Sequence, residues 1–373
     1  MQYTALSTVQ LRIQIGTPLP FNVRNADKTL LLARGQHVHS QSQLEALLER
    51  GALVDIAELQ TPREQVRMAP RDQLPRMWSQ TMNNVGLALM NAPHHSFRAA
   101  LDDATAPALS LIERDPDLAI FQVLRQEGGA STAYGVRRAV HAGITAYLVA
   151  QRLGWDADDL EKAFKVALTM NVSMFELQAQ MARQTTPLTA DQRAELQSHP
   201  LRSVQTLVTG GVTDPDWLRA VERHHEMEDG SGYPSGCKEV GDLASLARRA
   251  DVYTSKLSAR NHRDALSADV AGRQMFMEDP GHPMTAALVK EFGIYPPGCH
   301  VRLLSGALAI VVQRGPSVTA PIVACLTNER GAPLPEPVRV DTSRPGQAVA
   351  GIVGERSVNV SVSLDRLVKL TIG

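Results

Sequence analysis

The chain has 373 residues, 43% of them hydrophobic and 21% charged, with a formal net charge of −1. That length accommodates roughly two or three domains of ~150 residues, and the apolar share is sufficient to bury cores. The near-neutral charge gives no electrostatic reason to expect nucleic acid as a partner. Cys237, Cys299 and Cys325 are too widely spaced for a disulfide framework or a Cys-x-x-Cys metal knuckle, which fits a reducing compartment. There is no basic-then-apolar leader, and no apolar run approaches the ~20 residues that span a bilayer. The expectation is a cytoplasmic protein with no membrane insertion.

Residues 1–60 read as a small β-rich module. Apolar residues cluster as in short strands at 11–15 and 29–32, with Pro18 and Pro20 between them. Ser42-Gln43-Leu44-Glu45 has the spacing of a capping box and predicts a short helix closing at Gly51. Residues 61–76, with Pro62, Pro70 and Pro75, read as a linker. From 77 to 293 the pattern is helical. Amphipathic segments run over 134–153, closed by Gly154, and over 156–177, opened by Asp156, Asp158 and Asp159 at the positive end of the helix dipole. Thr189-Ala190-Asp191-Gln192 opens another helix, and Pro200 suits a first helical position. Asp214-Pro215-Asp216-Trp217 starts a helix that runs into His224 and His225. Residues 294–373 change character: 301–304, 307–312 and 318–326 are apolar and β-branched, and 358–362 alternates. They predict a C-terminal β domain, barrel-like or sandwich-like.

The chemistry concentrates in one string, His224-His225-Glu226-Met227-Glu228-Asp229-Gly230-Ser231-Gly232-Tyr233-Pro234. Converging imidazoles are a common way to hold zinc, iron or manganese. Adjacent residues on a regular helix point ~100° apart, so two such rings serve one ion only where the helix is irregular. Gly230 and Gly232 permit positive φ and close backbone approach. The plainer alternative is a solvated helix end followed by a rigid turn.

The string resembles the signature of the HD-GYP family, metal-dependent phosphodiesterases that hydrolyse cyclic di-GMP. His199-Pro200 after Leu188-Thr189, and Ala250-Asp251-Val252-Tyr253 followed by Arg260-Asn261-His262-Arg263, match further family stretches in the right order. The resemblance implies a mainly α, HD-type helical bundle between the two β-rich parts. It implies His199, His224, His225 and Asp251 as metal ligands, with Arg260 and Arg263 facing nucleotide phosphate. Asp251 also has a simpler use, pairing with Arg138 or Arg248. The loop of Asp229, Gly230, Gly232, Tyr233 and Pro234 is the part that the family links to GGDEF-type diguanylate cyclases.

The chain departs from the family at the defining His-Asp pair. The family's early Glu and His fall on Tyr134 and Arg138, its His-Asp pair on Met170 and Asn171, and its following Lys on Met174. In the family that Asp bridges two metals sharing a hydroxide, a clamp that activates the nucleophile and neutralises the leaving oxygen. Asn171 offers no bridging charge, and Arg138 places a fixed positive charge where a cation would sit. The expectation is a degenerate, non-catalytic member without catalytic residues, holding one transition-metal ion or none. It would act as an interaction or sensing module for cyclic di-GMP. A weakly active mononuclear phosphodiesterase is the alternative.

Overall fold

A computed structural model describes residues 2–125, 134–261, 263–360 and 362–371. The chain divides into two compact units, Met1–Ala69 and Pro70–Gly373. No helix among the described residues is long and apolar enough to cross a membrane.

The first unit is a small antiparallel sheet of β1 (Tyr3–Ala5), β2 (Val23–Arg24), β3 (Leu30–Leu32) and β4 (Leu53–Asp55), in the order β1-β4-β2-β3. Leu6, Phe21, Val23, Val38 and Val54 form its core. The strand expected at 11–15 is absent; its first two residues belong to a 3-10 helix, Leu6–Arg12. Helix α1 (Gln41–Glu49) is capped by Ser40, not Ser42: Ser40 is extended and its hydroxyl accepts from Gln43 N at 3.2 Å. The Gln43 amide then accepts from His39 N at 2.8 Å, which fixes the start two residues earlier than the Ser42 pattern suggests. A short α2 (Ile56–Leu59) follows. Within residues 61–76, Thr61 and Glu64 make a reciprocal capping box for α3 (Pro62–Met68). Pro62 and Pro75 stand in first helical turns, where a missing N–H costs nothing.

The second unit is mainly helical: α4 (Leu74–Met90), α5 (Phe97–Arg114), α6 (Pro116–Leu124), α7 (Tyr134–Leu153), α8 (Ala157–Thr169), α9 (Phe175–Arg183), α10 (Ala190–Thr209), α11 (Pro215–Arg223), α12 (Asp242–Leu257), α13 (Ala268–Glu278) and α14 (Pro283–Phe292). Residues 138–150 of α7 are buried on every face, which makes it the central helix, with α8, α12 and α14 packed around it. Gly135 lets α9 close on α7; a Cβ there would lie 2.7 Å from Phe175 Cα.

Two expectations fail in ways that shape the site. The predicted 156–177 helix breaks at 170–174, where Met174 N bonds Asn171 O at 3.0 Å and Ser173 Oγ is held by His199 O (3.1 Å) and Ser203 Oγ (2.9 Å). Those bonds to α10 turn the chain out of helical register. Pro200 is inside α10, not at its start; Thr189 caps that helix in the expected box with Gln192.

The C-terminal strands β5 (His300–Leu303), β6 (Leu308–Ser317), β7 (Ala320–Thr327), β8 (Pro333–Asp341) and β9 (Val349–Val353) form one antiparallel sheet in the order β8-β7-β6-β5-β9, followed by α15 (Leu364–Thr371). The sheet is open: β8 and β9 are its two edges, so neither a closed barrel nor a two-sheet sandwich is present among the described residues. Residues 358–360 carry no strand. The sheet joins the helices through Arg314, whose N–H bonds Asp117 Oδ2 at 2.9 Å and whose guanidinium bonds Glu291 Oε1 at 2.9 Å.

Candidate metal centre

Three imidazoles meet where α10 passes the end of α11. His199 lies within α10, His224 is the C-cap of α11, and His225 follows in the turn. Among the described residues, their ligand nitrogens form a group lying within 4.8 Å of one another. The end of the helix at Arg223 resolves the angular problem of two adjacent rings, whose centroids stand 4.2 Å apart.

Two backbone carbonyls set the tautomers. His199 Nδ1 donates to Leu196 O at 2.5 Å, and His224 Nδ1 donates to Val221 O at 2.6 Å. A carbonyl only accepts, so in both rings Nδ1 carries the hydrogen and Nε2 presents a lone pair. Leu196 is four residues before Pro200, and in a regular helix its carbonyl would receive the Pro200 N–H. Proline has none, and the imidazole takes the freed acceptor. Val221 is in the last turn of α11, where carbonyls run out of helical partners. The two Nε2 atoms face each other at 3.1 Å. Burial, with the crowding of the rings against one another adding to it, pushes all three imidazoles down to about 3, so they are neutral at ordinary pH. Two facing lone pairs repel unless a cation or proton lies between them. Metal–imidazole bonds of ~2.0–2.1 Å match this convergence, and these residues fit one ion.

The second half of the site is occupied differently. Arg138, on α7, is 5% exposed, and its Nη2 lies 2.6 Å from Asp251 Oδ1 and 3.2 Å from Asp251 O. Asn171 Nδ2 reaches the same Oδ1 at 3.4 Å. Burial alone would raise the Asp251 carboxyl; the Arg138 guanidinium and the nearby His224 and His199 together outweigh it and hold the group below its ordinary value. Arg248 is engaged elsewhere, with Glu228 at 3.1 Å. Met170 and Met174 are buried, and Met174 lies in the wall of the adjoining cleft. A second ion would need the carboxylate that Arg138 holds, and Asn171 supplies no bridging charge, so these residues do not fit a second ion.

The loop after the histidines is organised by Glu226, which sequence reading left without a role. It is fully buried and accepts from Ser235 N (2.7 Å), Ser235 Oγ (2.7 Å) and Cys237 N (3.0 Å). Its one signal is an acid directly after two histidines. Asp229 Oδ1 accepts from Ser231 N at 2.8 Å, and Gly230 takes φ +83°. Gly232 is required by space, since a Cβ would lie 2.5 Å from His225 O and from Glu226 Cα. Tyr233 turns inward and stacks on His225, with centroids 4.6 Å apart and planes 16° apart. Pro234 is half-buried beside it.

A cleft of about 580 Å³ opens beside the imidazoles, lined by Tyr134, Arg138, Asn171, His225, Asp251 and Arg260 among others. Arg260 Nη2 bonds Ser255 Oγ at 2.7 Å within that lining. Arg263 instead braces the turn, with Nη2 on Ser255 O at 2.6 Å. The cleft also takes in Gln178 and Met181, which the sequence did not single out, and Leu188 of the Leu188-Thr189 stretch.

No protein-family model matches the chain. A cyclic di-GMP phosphodiesterase from Pseudomonas aeruginosa is 40% identical over 131 residues, covering 33% of this chain and 31% of that protein. The cyclic di-GMP phosphodiesterase response regulator RpfG from Xanthomonas campestris is 28% identical over 165 residues, covering 43% of this chain and 42% of RpfG. The chain thus spans less than half the length of either curated relative. Among solved structures, an HDG"Y"P protein from Bdellovibrio bacteriovorus superimposes with a TM-score of 0.50 at 15% identity, over 78% of this chain and 98% of that one, a likeness of fold. By these similarities the chain is a relative of HD-GYP-type cyclic di-GMP phosphodiesterases.

Proposed function

We propose that this chain is a degenerate HD-GYP protein in cyclic di-GMP signalling, a binding module that holds one ion on His199, His224 and His225 and does not turn nucleotide over. The observation that carries the reading is the Arg138–Asp251 ion pair, 2.6 Å long and nearly closed to solvent. Two-metal phosphodiester hydrolysis relies on a pair of cations that stabilise the attacking and the leaving oxygen. Here the carboxylate of the second position is neutralised by a guanidinium that cannot deprotonate, and the bridging position is the neutral Asn171. Bound at the three imidazoles, an ion would supply Lewis acidity and an anchor for a phosphate oxygen. The residues around it position ligand: Arg260 brings positive charge to the cleft wall, and Tyr233 keeps His225 in place by stacking.

The test is elemental analysis of the full chain beside His224→Ala, with cyclic di-GMP turnover followed on the same preparations. One ion per chain, lost in the variant, with no turnover is the expected result. One ion with slow turnover replaces the proposal with a mononuclear phosphodiesterase. Two ions per chain overturn it.

A further inference from the structure

Arg260 reaches the cleft from the turn that follows α12. That turn is closed by two bonds of its own, Arg260 N to Arg263 O at 2.8 Å and Arg263 N to Arg260 O at 3.0 Å. Surface turns are ordinarily among the more mobile parts of a fold. Here the next residue ties the turn down. Asn261 is exposed, yet it donates twice to the end of α9: its backbone N–H bonds Ala182 O at 2.9 Å, and its side-chain Nδ2 bonds Arg183 O at 2.7 Å. Ala182 and Arg183 are the last residues of α9, whose carbonyls have no N–H partner within the helix. One residue therefore caps α9 and pins the arginine turn.

The end of α9 is itself part of the cleft, where Met181 and Gln184 line the wall. Gln184 Nε2 donates to Thr186 O at 3.0 Å and to Pro187 O at 2.9 Å, and its Oε1 accepts from Gln192 Nε2 at 2.8 Å. Gln192 stands in the first turn of α10, the helix that carries His199. The arginine turn and the imidazole-bearing helix are thus referenced to one helix end. At the guanidinium, Ser255 Oγ takes one N–H at 2.7 Å, and a guanidinium has five. Holding a long side chain in place before its ligand arrives removes part of the entropy cost of binding. Asn261 carries no charge and lies outside the lining of the cleft, so it can act on a ligand there only through the turn that it holds.

We infer that Asn261 is a positioning residue for Arg260: by capping α9 it fixes the arginine relative to the three imidazoles, so that a phosphate-bearing ligand meets two preset cationic points. The inference rests on the proposed function and adds what sets the spacing of its two phosphate contacts.

The experiment is calorimetric titration of the full-length protein with cyclic di-GMP, on wild type, Asn261→Ala, Arg260→Gln and the double variant, with metal content measured on each. The expected result is about fivefold weaker affinity in Asn261→Ala, the scale of one lost hydrogen bond, and about tenfold weaker affinity in Arg260→Gln. The double variant binds as Arg260→Gln does, and metal content stays as in wild type. A double-mutant cycle isolates such coupling, whereas a generally loosened fold would weaken both backgrounds alike. An equal loss in the two backgrounds therefore overturns the inference, and so does unchanged affinity in Asn261→Ala. Arg260→Gln binding as tightly as wild type also overturns it, because there is then no contact to position. Loss of metal in Asn261→Ala overturns it as well, since the effect then runs through the imidazoles. In each of these cases the proposed function stands, whereas a wild type that binds no cyclic di-GMP overturns both. Asn261→Ser, whose hydroxyl is too short to reach Arg183 O, serves if Asn261→Ala does not fold.

Discussion

The two halves of the cleft hold positive charge in opposite ways. On one side, three imidazoles are kept neutral by burial and converge, an arrangement that could hold a cation from solution. On the other, the cation is part of the chain: Arg138 sits against Asp251 in a pair nearly closed to water. The difference is one of exchangeability. An ion on imidazoles can be stripped or replaced, whereas a guanidinium on α7 is permanent and brings no coordination chemistry. On the proposed reading, a site with one exchangeable and one permanent charge would keep electrostatic complementarity to a nucleotide without the symmetric clamp that two-metal hydrolysis uses.

The largest expected effect comes from removing the permanent charge. Arg138→Leu leaves Asp251 buried and unpaired, a type of change that costs about 3–5 kcal/mol. Chemical unfolding in the presence of a chelator reads it directly. A loss under about 1 kcal/mol would show that water screens the pair and that the two halves differ less than the geometry indicates.

A second variant sharpens the other side. Pro200 frees the Leu196 carbonyl that orients His199. Pro200→Ala returns an N–H to α10, which competes for that carbonyl, and such supporting contacts are worth about 10–100-fold in metal affinity. Proline inside a helix costs about 3 kcal/mol, so the same variant gains stability without the ion. Metal titration and thermal unfolding should therefore move in opposite directions. If affinity is unchanged, the proline does not act through His199.

What could be read from the sequence divides along similar lines. The helix of α7 and the caps at Thr189, Asp156 and Asp214 follow from local rules, and the structure places them where those rules point. The convergence of His199, His224 and His225 was legible through motif order, because the resemblance placed all three in one site. Arg138 facing Asp251 was legible only as one of two pairings, since 113 residues separate the partners. The break at 170–174 was invisible, because it depends on Ser173 bonding α10, a tertiary contact with no local signature. Gln178 looked like any polar residue on a helix face until α9 was seen to seal against α7. The sheet's failure to close is of the same kind: strand propensity says nothing about which edges meet.

The smallest predicted effect separates the metal centre from its scaffold. His141 is buried on α7, its Nδ1 has no partner, and burial, with Arg137 and Arg138 adding to it, pushes its imidazole down to about 3. The folded protein therefore refuses a proton that the unfolded chain accepts below its ordinary value of about 6.5. Stability from His141 is fully present above about pH 6.5 and is lost as pH falls from there towards about 3. The three centre imidazoles act with the same sign, but an ion bound there competes with protons and masks their share. In the metal-loaded protein the remaining slope of stability against pH includes the His141 contribution, and His141→Leu should flatten it by one proton's worth between about pH 6 and 4. Melting temperatures of both proteins across that range, with and without chelator, measure the difference. An identical slope in the variant would mean that solvent reaches His141 in the fold, and that acid sensitivity belongs to the three imidazoles and to carboxylates alone.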